Sequence, residues 1–193
     1  MAKSPKEGKL IYHISALENV ESIIENGLKP RKELKEFVDV ADEDILIKRS
    51  NYNLGDFVPF HFFPSTPFSG SVQKGFPDSE FVYFAMDRIS AKANKFRIIP
   101  KHPVNYNSEP LDWDDGFEVI DWQLMEKRDY SEYECKEVCM AEAICQGTIA
   151  IESIKFIFVK SEGTKERLNS LLKKHGKSRI FVNVSRFMFI HND

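Results

Sequence analysis

Apolar and polar positions alternate in short stretches along this chain, and these stretches predict strands spread over the whole sequence. Residues 9–15 combine β-branched and aromatic positions, and residues 81–86 are almost uninterruptedly apolar, which is typical of strands. Residues 57–63 are also apolar, but Pro59 lacks the N–H that a central strand uses, so we expect an edge strand or an irregular start there. We expect further strands at residues 96–99, 138–144, 149–159 and 179–184.

Apolar residues at three- and four-residue spacing predict helices between these strands. In the first helix, at residues 16–25, Ser15 would be the N-cap, Glu18 would complete a capping box, and Gly27 would stop the chain. Strands and helices do not alternate regularly, so the pattern predicts a mixed α+β fold. The remaining expectations are helices at residues 89–95, 116–128 and 162–175, loops at 64–75 and 102–115, and either a helix or a short strand at 33–49.

The length and composition favour one compact domain spanning residues 1–193, and 42% hydrophobic residues are enough for a sizeable core. No stretch approaches the ~20 apolar residues that cross a bilayer, and the first nine residues are polar, so we expect neither a membrane span nor secretion. Three cysteines, Cys135, Cys139 and Cys145, lie close together without a Cys-x-x-Cys pair. This favours a reduced, cytoplasmic protein and argues against a zinc site.

The charge distribution is uneven, although the net charge is only -3. That net charge argues against a general nucleic-acid binder, which is usually basic. Residues 106–142 are strongly acidic, whereas residues 88–102 and 160–190 are basic. Two interpretations stay open for the basic segments, namely a local phosphate-binding surface and an ordinary solvated surface. The basic residues around Phe96 form a candidate nucleic-acid track of Arg88, Lys92, Lys95, Arg97 and Lys101.

One carboxylate lies in an apolar setting, namely Glu142 between residues 139 and 145. A carboxylate packed against a core needs either a partner or a chemical role. The alternative to a catalytic role is a buried ion pair with Lys136 or Arg128. No glycine-rich phosphate loop follows a predicted strand, which argues against Rossmann and P-loop nucleotide sites.

Taken in order, several blocks of the chain resemble the DarT-type DNA ADP-ribosyltransferases, the toxin half of a bacterial toxin–antitoxin pair. The resemblance covers most of the sequence, and the ordered set is more specific than any one block. The blocks are Ile11-Tyr12-His13-Ile14-Ser15 with Asn26-Gly27-Leu28, Ile47-Lys48-Arg49 with Asp56-Phe57-Val58-Pro59-Phe60-His61-Phe62, residues 81–88, Val119-Ile120-Asp121-Trp122, and Ala141-Glu142.

This resemblance implies a compact ADP-ribosyltransferase fold, in which a split central β-sheet holds NAD in a cleft. It implies an NAD-dependent mono-ADP-ribosyltransferase that modifies a base in single-stranded DNA without a metal. The implied partners are single-stranded DNA and a macrodomain-type antitoxin. Two alternatives stay open: the same chemistry on RNA or protein, or a non-catalytic module that binds a nucleotide or an antitoxin.

The resemblance also implies roles for individual residues. Glu142 matches the catalytic glutamate, Arg49 the catalytic arginine, and His13 a histidine of the NAD site. For Arg49 the alternative is a surface ion pair with Asp44 or Asp56, and for the phenylalanines it is a place in the core. Further NAD contacts are implied for Ser15, Gly27, His61, Phe62 and Phe63.

The chain departs from the family's usual residues in places that bear on the acceptor base. His61 stands where tyrosine is common, Ser65-Thr66-Pro67-Phe68 where Arg-Ser-Pro-Met is common, and Cys139-Met140 where Arg-Gln is common. This pattern resembles the guanine-modifying branch of the family more than the thymine-modifying branch. ADP-ribosyl transfer passes through an oxocarbenium-like transition state, so a carboxylate at position 142 suits the developing positive charge.

Overall fold

The computed structural model describes residues 4–35, 37–38 and 54–190. Arg49, the predicted catalytic arginine, lies outside the described residues, as does most of the 33–49 segment. Among the described residues, one sheet of seven strands has the order β4-β5-β2-β1-β3-β6-β7. Neighbouring strands are antiparallel except β6 and β7, which are parallel. The strands are β1 (Leu10–Ala16), β2 (Phe57–His61), β3 (Phe81–Asp87), β4 (Arg97–Ile99), β5 (Glu142–Gln146), β6 (Phe156–Val159) and β7 (Phe181–Val184).

Helices lie between the strands without a regular βαβ alternation, so the predicted α+β class is confirmed. The α-helices of the described residues are α1 (Val20–Asn26), α2 (Pro67–Gly75), α3 (Arg88–Ala93), α4 (Trp113–Val119), α5 (Trp122–Lys127), α6 (Tyr133–Val138) and α7 (Glu162–Lys174).

Two helix predictions and one loop prediction were wrong in detail. The first α-helix begins at Val20 after a 3-10 turn, and Ser15 belongs to β1 rather than capping that helix. The expected loop at 64–75 contains α2, because Thr66 accepts a hydrogen bond from Ser69 N at 3.2 Å and proline occupies the first helical position. The single helix expected at 116–128 is two helices, separated at Ile120, whose backbone is extended.

Alternate strand residues point to opposite faces of the sheet, and the two faces are covered unequally. One face, the helix-covered face, packs with α1 and α3 to α7 in the largest hydrophobic cluster. The opposite face carries two smaller clusters, one under α2 and Phe189 and one around Leu54. The strand residues on the helix-covered face are Ile11, Val58, Phe60, Val82, Phe84, Met86, Ile98, Ala143, Ile157, Val159 and Val182.

The sheet is split between its two central strands. β1 and β2 are paired only at Tyr12 and His61, whereas β2 pairs with β5 along its whole length. The carbonyl of Pro59 faces β1, since it accepts a hydrogen bond from Nδ1 of His13 at 2.8 Å. The N and C=O of one strand residue point to the same side, so the missing N–H of Pro59 also faces the gap. The predicted edge strand is therefore a central one, and the proline is tolerated because no ladder bond is needed there.

Candidate active site

A cavity of about 500 Å³ occupies the wedge where β1 and β2 diverge. This volume lies within the range of small-molecule and cofactor sites. The walls come from the end of β1, the start of β2, α1, the segment after α1, and residues 102–104. The position follows from the register, because the two strands separate immediately beyond their single paired position.

Glu142 lines this cavity at the first position of β5 and is only 5% exposed. It lies directly opposite His61 in the β2–β5 register, and His61 also lines the cavity. Nδ1 of His61 donates to the carbonyl of Ala141 at 3.2 Å, which holds the imidazole beside the glutamate. The structure thus brings together two residues that lie 81 positions apart in the sequence.

His13 and Ser15 line the cavity from β1. A carbonyl oxygen can only accept a hydrogen bond, so the bond from His13 to Pro59 places the proton on Nδ1 and leaves Nε2 as an acceptor in the neutral ring. The His13 ring lies 5.5 Å from the ring of Phe60, centroid to centroid. Ser15 is buried, and its hydroxyl accepts from the side chain of Asn19 at 3.4 Å.

Gly27 closes the cavity at the end of α1, with a φ of 81° and a ψ of 173°. Leu28, the next residue, exchanges two backbone hydrogen bonds with Ile149, of 2.9 and 2.8 Å. A Cβ on Gly27 would lie only 2.6 Å from the carbonyl oxygen of Ile149. Glycine is therefore required both by the backbone conformation and by the close approach of the neighbouring chain.

Three basic residues that the sequence reasoning missed also line the cavity, namely Lys29, Arg31 and Lys32. Lys32 pairs with Asp56 at 3.2 Å, and the guanidinium of Arg31 lies 5.4 Å from the ring centroid of Phe37. They are three of the four residues after Leu28, and this local concentration of positive charge was the available signal. Their position gives the cavity a cationic side opposite in charge to Glu142.

Asn19 is a further residue that the sequence reasoning missed. It lines the cavity and bonds both backbone groups of Val38, accepting from its N–H at 2.9 Å and donating to its carbonyl at 3.0 Å. Val38 and Phe37 line the cavity as well. The asparagine therefore fixes one wall of the cavity to the first helix.

The structure does not place Phe62 and Phe63 among the residues that line the cavity. Phe62 is buried within 6.4 Å of three aromatic rings from α4 and α5, and the Phe63 ring lies 4.7 Å from the guanidinium carbon of Arg128. The chain leaves β2 after His61 and turns toward these helices. The core alternative therefore describes the two phenylalanines better than the NAD contact implied by the resemblance.

Arg88 is also placed differently from the expected nucleic-acid track. Its guanidinium is buried and donates to the carbonyls of Pro5, Lys6, Leu10 and Phe62, at 2.7 to 3.2 Å. Burial lowers its pKa to about 10. This arginine holds the N-terminal segment against the sheet and is not available to a phosphate.

The other residues of the expected track are accessible to different degrees. Lys92 pairs with Asp114 at 2.6 Å, and Arg97 donates to the carbonyl of Pro110. Lys95 and Lys101 are exposed. Of the five residues of the track, only these two lysines are exposed without an ion pair to another described residue, and their role in binding nucleic acid stays a prediction.

No cluster of metal-ligating side chains occurs at the cavity among the described residues. One group with suitable spacing, Glu21, Glu25 and His175, lies between α1 and α7 on the surface. Lys174 already pairs with Glu21 at 2.8 Å, and none of the three residues lines the cavity. In the part of the chain that the structure describes, no helix is long and apolar enough to span a membrane.

Comparison with known proteins identifies the family. Residues 12–190 match the family model described as "DarT: ssDNA thymidine ADP-ribosyltransferase, DarT". The chain belongs to the DarT family. This confirms the resemblance and, at the level of the family, the predicted ADP-ribosylation of single-stranded DNA. The family description names thymidine as the base, whereas the departures in this sequence resemble the guanine-modifying branch. Among proteins with curated functions, none matches the chain by sequence.

Solved DarT structures share the fold. A DarT of Thermus sp. 2.9 in complex with ADP-ribosylated ssDNA has a TM-score of 0.84 at 20% identity, covering 98% of this chain and all of that one. The same organism's DarT in complex with NAD+ has a TM-score of 0.77 at 18% identity, covering 95% and 98%. DarTG of Thermosipho africanus in complex with ADP-ribose has a TM-score of 0.71 at 18% identity, covering 94% of this chain and 51% of that one. The predicted fold of the family is confirmed.

Proposed function

We propose that this chain is an NAD-dependent mono-ADP-ribosyltransferase that modifies a base in single-stranded DNA, as the toxin of a toxin–antitoxin system. One observation carries the assignment of the site. Glu142, a carboxylate buried to 5% exposure, faces the cavity between the diverging strands β1 and β2, directly opposite His61. Membership of the DarT family and the likeness to structures with NAD+ and with ADP-ribosylated ssDNA support the reaction.

In this proposal NAD binds in the cavity with its pyrophosphate toward Lys29, Arg31 and Lys32. Cationic side chains compensate the two phosphate charges in a partly enclosed site. His13 and Ser15 contact the ribose or the nicotinamide. The rings of His61 and Phe68, 5.5 Å apart between centroids, offer flat faces for the nicotinamide. Arg49, outside the described residues, stays a candidate for the same pyrophosphate or for the acceptor base.

Chemistry begins when the bond between nicotinamide and ribose C1′ breaks. Positive charge then develops on the ribose, and Glu142 stabilises it by accepting a hydrogen bond from the ribose 2′-hydroxyl. A nitrogen of the DNA base attacks C1′, and Glu142 takes the proton that this nitrogen loses. The products are the ADP-ribosylated base, free nicotinamide and one proton.

Met140 and Phe68 are our candidates for the residues that select the acceptor base. Both line the cavity near Glu142, and Phe68 N donates to Sδ of Met140 at 3.2 Å. The segment that precedes Glu142 is tied to the same region because Tyr130 donates to the carbonyl of Ser65 at 2.6 Å. Both side chains differ from the residues that are usual in the family, which is why the base must be measured for this chain.

The remaining parts of the proposal concern context. We propose a single ADP-ribosyltransferase domain that works in the cytoplasm without a metal and is opposed by a macrodomain-type antitoxin. The three cysteines are free thiols, as expected for a reducing compartment. The likeness to DarTG of Thermosipho africanus supports a toxin–antitoxin context.

The test is to incubate the purified chain with NAD and separate panels of single-stranded DNA, RNA and protein, and to weigh the products. We expect a gain of one ADP-ribose on DNA only, and oligonucleotides that differ at one base then identify thymine or guanine. Glu142→Gln, which keeps the size and hydrogen-bonding reach of the side chain, is the matched control and should abolish the gain. A gain on RNA or protein alone, or no gain on any panel, would overturn the proposal.

A further inference from the structure

The pairing register connects Glu142 with a row of aromatic side chains that runs to the far edge of the sheet. Directly opposed residues in a sheet share one face, so a chain of such pairs defines a continuous line across that face. From β5 to β7 the paired residues are Glu142, His61, Tyr12, Ala85, Phe156 and Phe181. At about 4.8 Å per strand, the row extends roughly 24 Å from the glutamate.

Four aromatic rings form a near-continuous surface on this row. Ring centroids are 6.1 Å apart between Tyr12 and Phe158, 6.0 Å between Phe158 and Phe156, and 6.0 Å between Phe156 and Phe181. Phe158 lies two residues beyond Phe156 on the same face, and the small Ala85 leaves the space in which Tyr12 and Phe158 approach each other. We call these four residues the aromatic row. It adjoins the active site because Tyr12 is paired with His61.

The aromatic row lies on the less covered face of the sheet. α2 and Phe189 cover the neighbouring residues Ile14 and Tyr83. Toward the edge strand β7 the cover ends, since Phe181 is 63% exposed and the other three side chains are half-buried. Tyr12 and Phe158 pack against the margin of this cluster. Phe156 and Phe181 belong to no hydrophobic cluster of the described residues, so a place in the core does not account for the outer half of the row.

The charges around this face fit a polyanion. β6 and β7 contain no acidic residue. Exposed basic side chains flank them, with Arg179 before β7, Arg186 after it and Lys155 before β6. Asp87, the acidic neighbour of Lys155, is paired with it at 2.8 Å. Asn183, exposed on β7 opposite Phe158, adds an amide that can bond a base edge.

We propose that the aromatic row binds single-stranded DNA by stacking its bases and leads the strand to Glu142. Aromatic platforms bordered by basic groups hold single strands in this way, because every base has a flat face. The occupant follows from the continuity of the row with the candidate active site, so this inference rests on the proposed function. An antitoxin or another protein on this face would not need rings aligned in one row with the glutamate.

The test measures binding of oligothymidylates of about 4 and about 16 nucleotides, which span the usual site sizes of single-strand-binding folds, without NAD. Phe181→Leu keeps an apolar side chain but removes the flat ring, and Phe181→Trp restores one. We expect Phe181→Leu to weaken binding of the longer strand about fivefold or more, with little effect on the shorter strand, and Phe181→Trp to bind as wild type. Ile89→Ala, at another exposed apolar residue (83%), should change neither.

Salt separates stacking from phosphate contacts. Phe181→Leu should lower affinity by the same factor at each salt concentration, because stacking releases no counterions. The proposal would be overturned if Phe181→Leu bound the longer strand as tightly as the wild type does, or if it lost the same factor of affinity for both strand lengths. The proposed function is judged separately by the ADP-ribosylation assay on the panel of single-stranded DNA, which contains every base. A wild-type protein that binds the longer strand through Phe181 but modifies no DNA would refute that function and leave the aromatic row in place.

Discussion

Gly27 is the position at which a single methyl group should disturb the site most. Its φ of 81° and ψ of 173° fall in a region that is essentially restricted to glycine. An added Cβ would lie 2.6 Å from Ile149 O and 3.0 Å from Cγ2 of Thr148. The contact with Ile149 involves backbone, which cannot rotate away. Gly27→Ala should therefore separate Leu28 from Ile149 and displace Lys29 at the cavity wall.

Two terms contribute to the expected loss of stability. Backbone strain costs about 1–3 kcal/mol, and forcing atoms into a packed region costs about 1–3 kcal/mol more. We therefore expect Gly27→Ala to lower the free energy of unfolding by about 2–6 kcal/mol. Gly147 is the matched control, because it also has a positive φ of 77° but nothing lies within 4 Å of its Cβ position. Gly147→Ala should cost only the strain, about 1–2 kcal/mol.

The assay is urea unfolding of both variants and of Gly70→Ala, with the m value checked to be unchanged. Gly70 lies in α2 with open space around its Cβ position and an ordinary φ, so alanine there should stabilise by about 0.5–1 kcal/mol. If Gly27→Ala loses no more stability than Gly147→Ala, the close approach to Ile149 does not constrain this turn and our reasoning is refuted.

Two further predictions concern charged residues. Arg88→Lys should lower the free energy of unfolding by at least about 2 kcal/mol, because a lysine cannot replace four guanidinium hydrogen bonds to carbonyls. Lys95→Gln should leave the free energy of unfolding in urea unchanged. Only Lys95→Gln should reduce the slope with which DNA affinity falls as salt rises, by about one. A reduced salt slope for Arg88→Gln, which removes the positive charge as Lys95→Gln does, would contradict the structural role assigned to Arg88. Burial raises the pKa of Asp87, but hydrogen bonds from Lys155 and Ser90 outweigh it and lower the pKa to about 2. Since the folded pKa is below the unfolded value of about 3.9, this carboxylate stabilises the fold above about pH 4, and the contribution is lost as the pH falls toward 2. Asp87→Asn keeps the helix cap but cannot titrate. Between about pH 4 and pH 2 it should therefore lose less stability than the wild type in acid titrations followed by circular dichroism.

The local pattern of residues correctly predicts most strands, but it fails where pairing with distant parts of the chain decides the structure. The runs that became β1 and β3 were predicted because their composition is strongly β-forming and their partners lie on both sides. Pro59 was misjudged because its place in a central strand depends on the gap beside β1, which no local pattern encodes. The helix α2 was missed because the serines, prolines and glycines of residues 64–75 are typical of loops, although Thr66 and Pro67 provide a good helix start.

Residues of the candidate site could be predicted from the sequence only where they lie in segments that resemble the DarT family. Placing His13, Ser15, Gly27, His61 and Glu142 around one cavity followed from the resemblance, and the structure brings all five to it. The sequence could not show that Phe62 and Arg88 lie away from the site. Both side chains are buried beside α4 and α5, and this burial depends on how the chain turns after β2. Lys29, Arg31 and Lys32 were overlooked because their convergence on the cavity depends on the bridge between Leu28 and Ile149.

The central claim is that Glu142 acts on the transition state in an NAD site that it does not itself build. The most direct measurement compares Glu142→Gln with the wild type in two assays, the Kd for NAD and the single-turnover rate of ADP-ribosyl transfer to a single-stranded DNA that the wild type modifies. We predict a Kd within about threefold of wild type and a rate lower by at least about 100-fold. A variant that transfers ADP-ribose at a rate near that of the wild type would contradict the account.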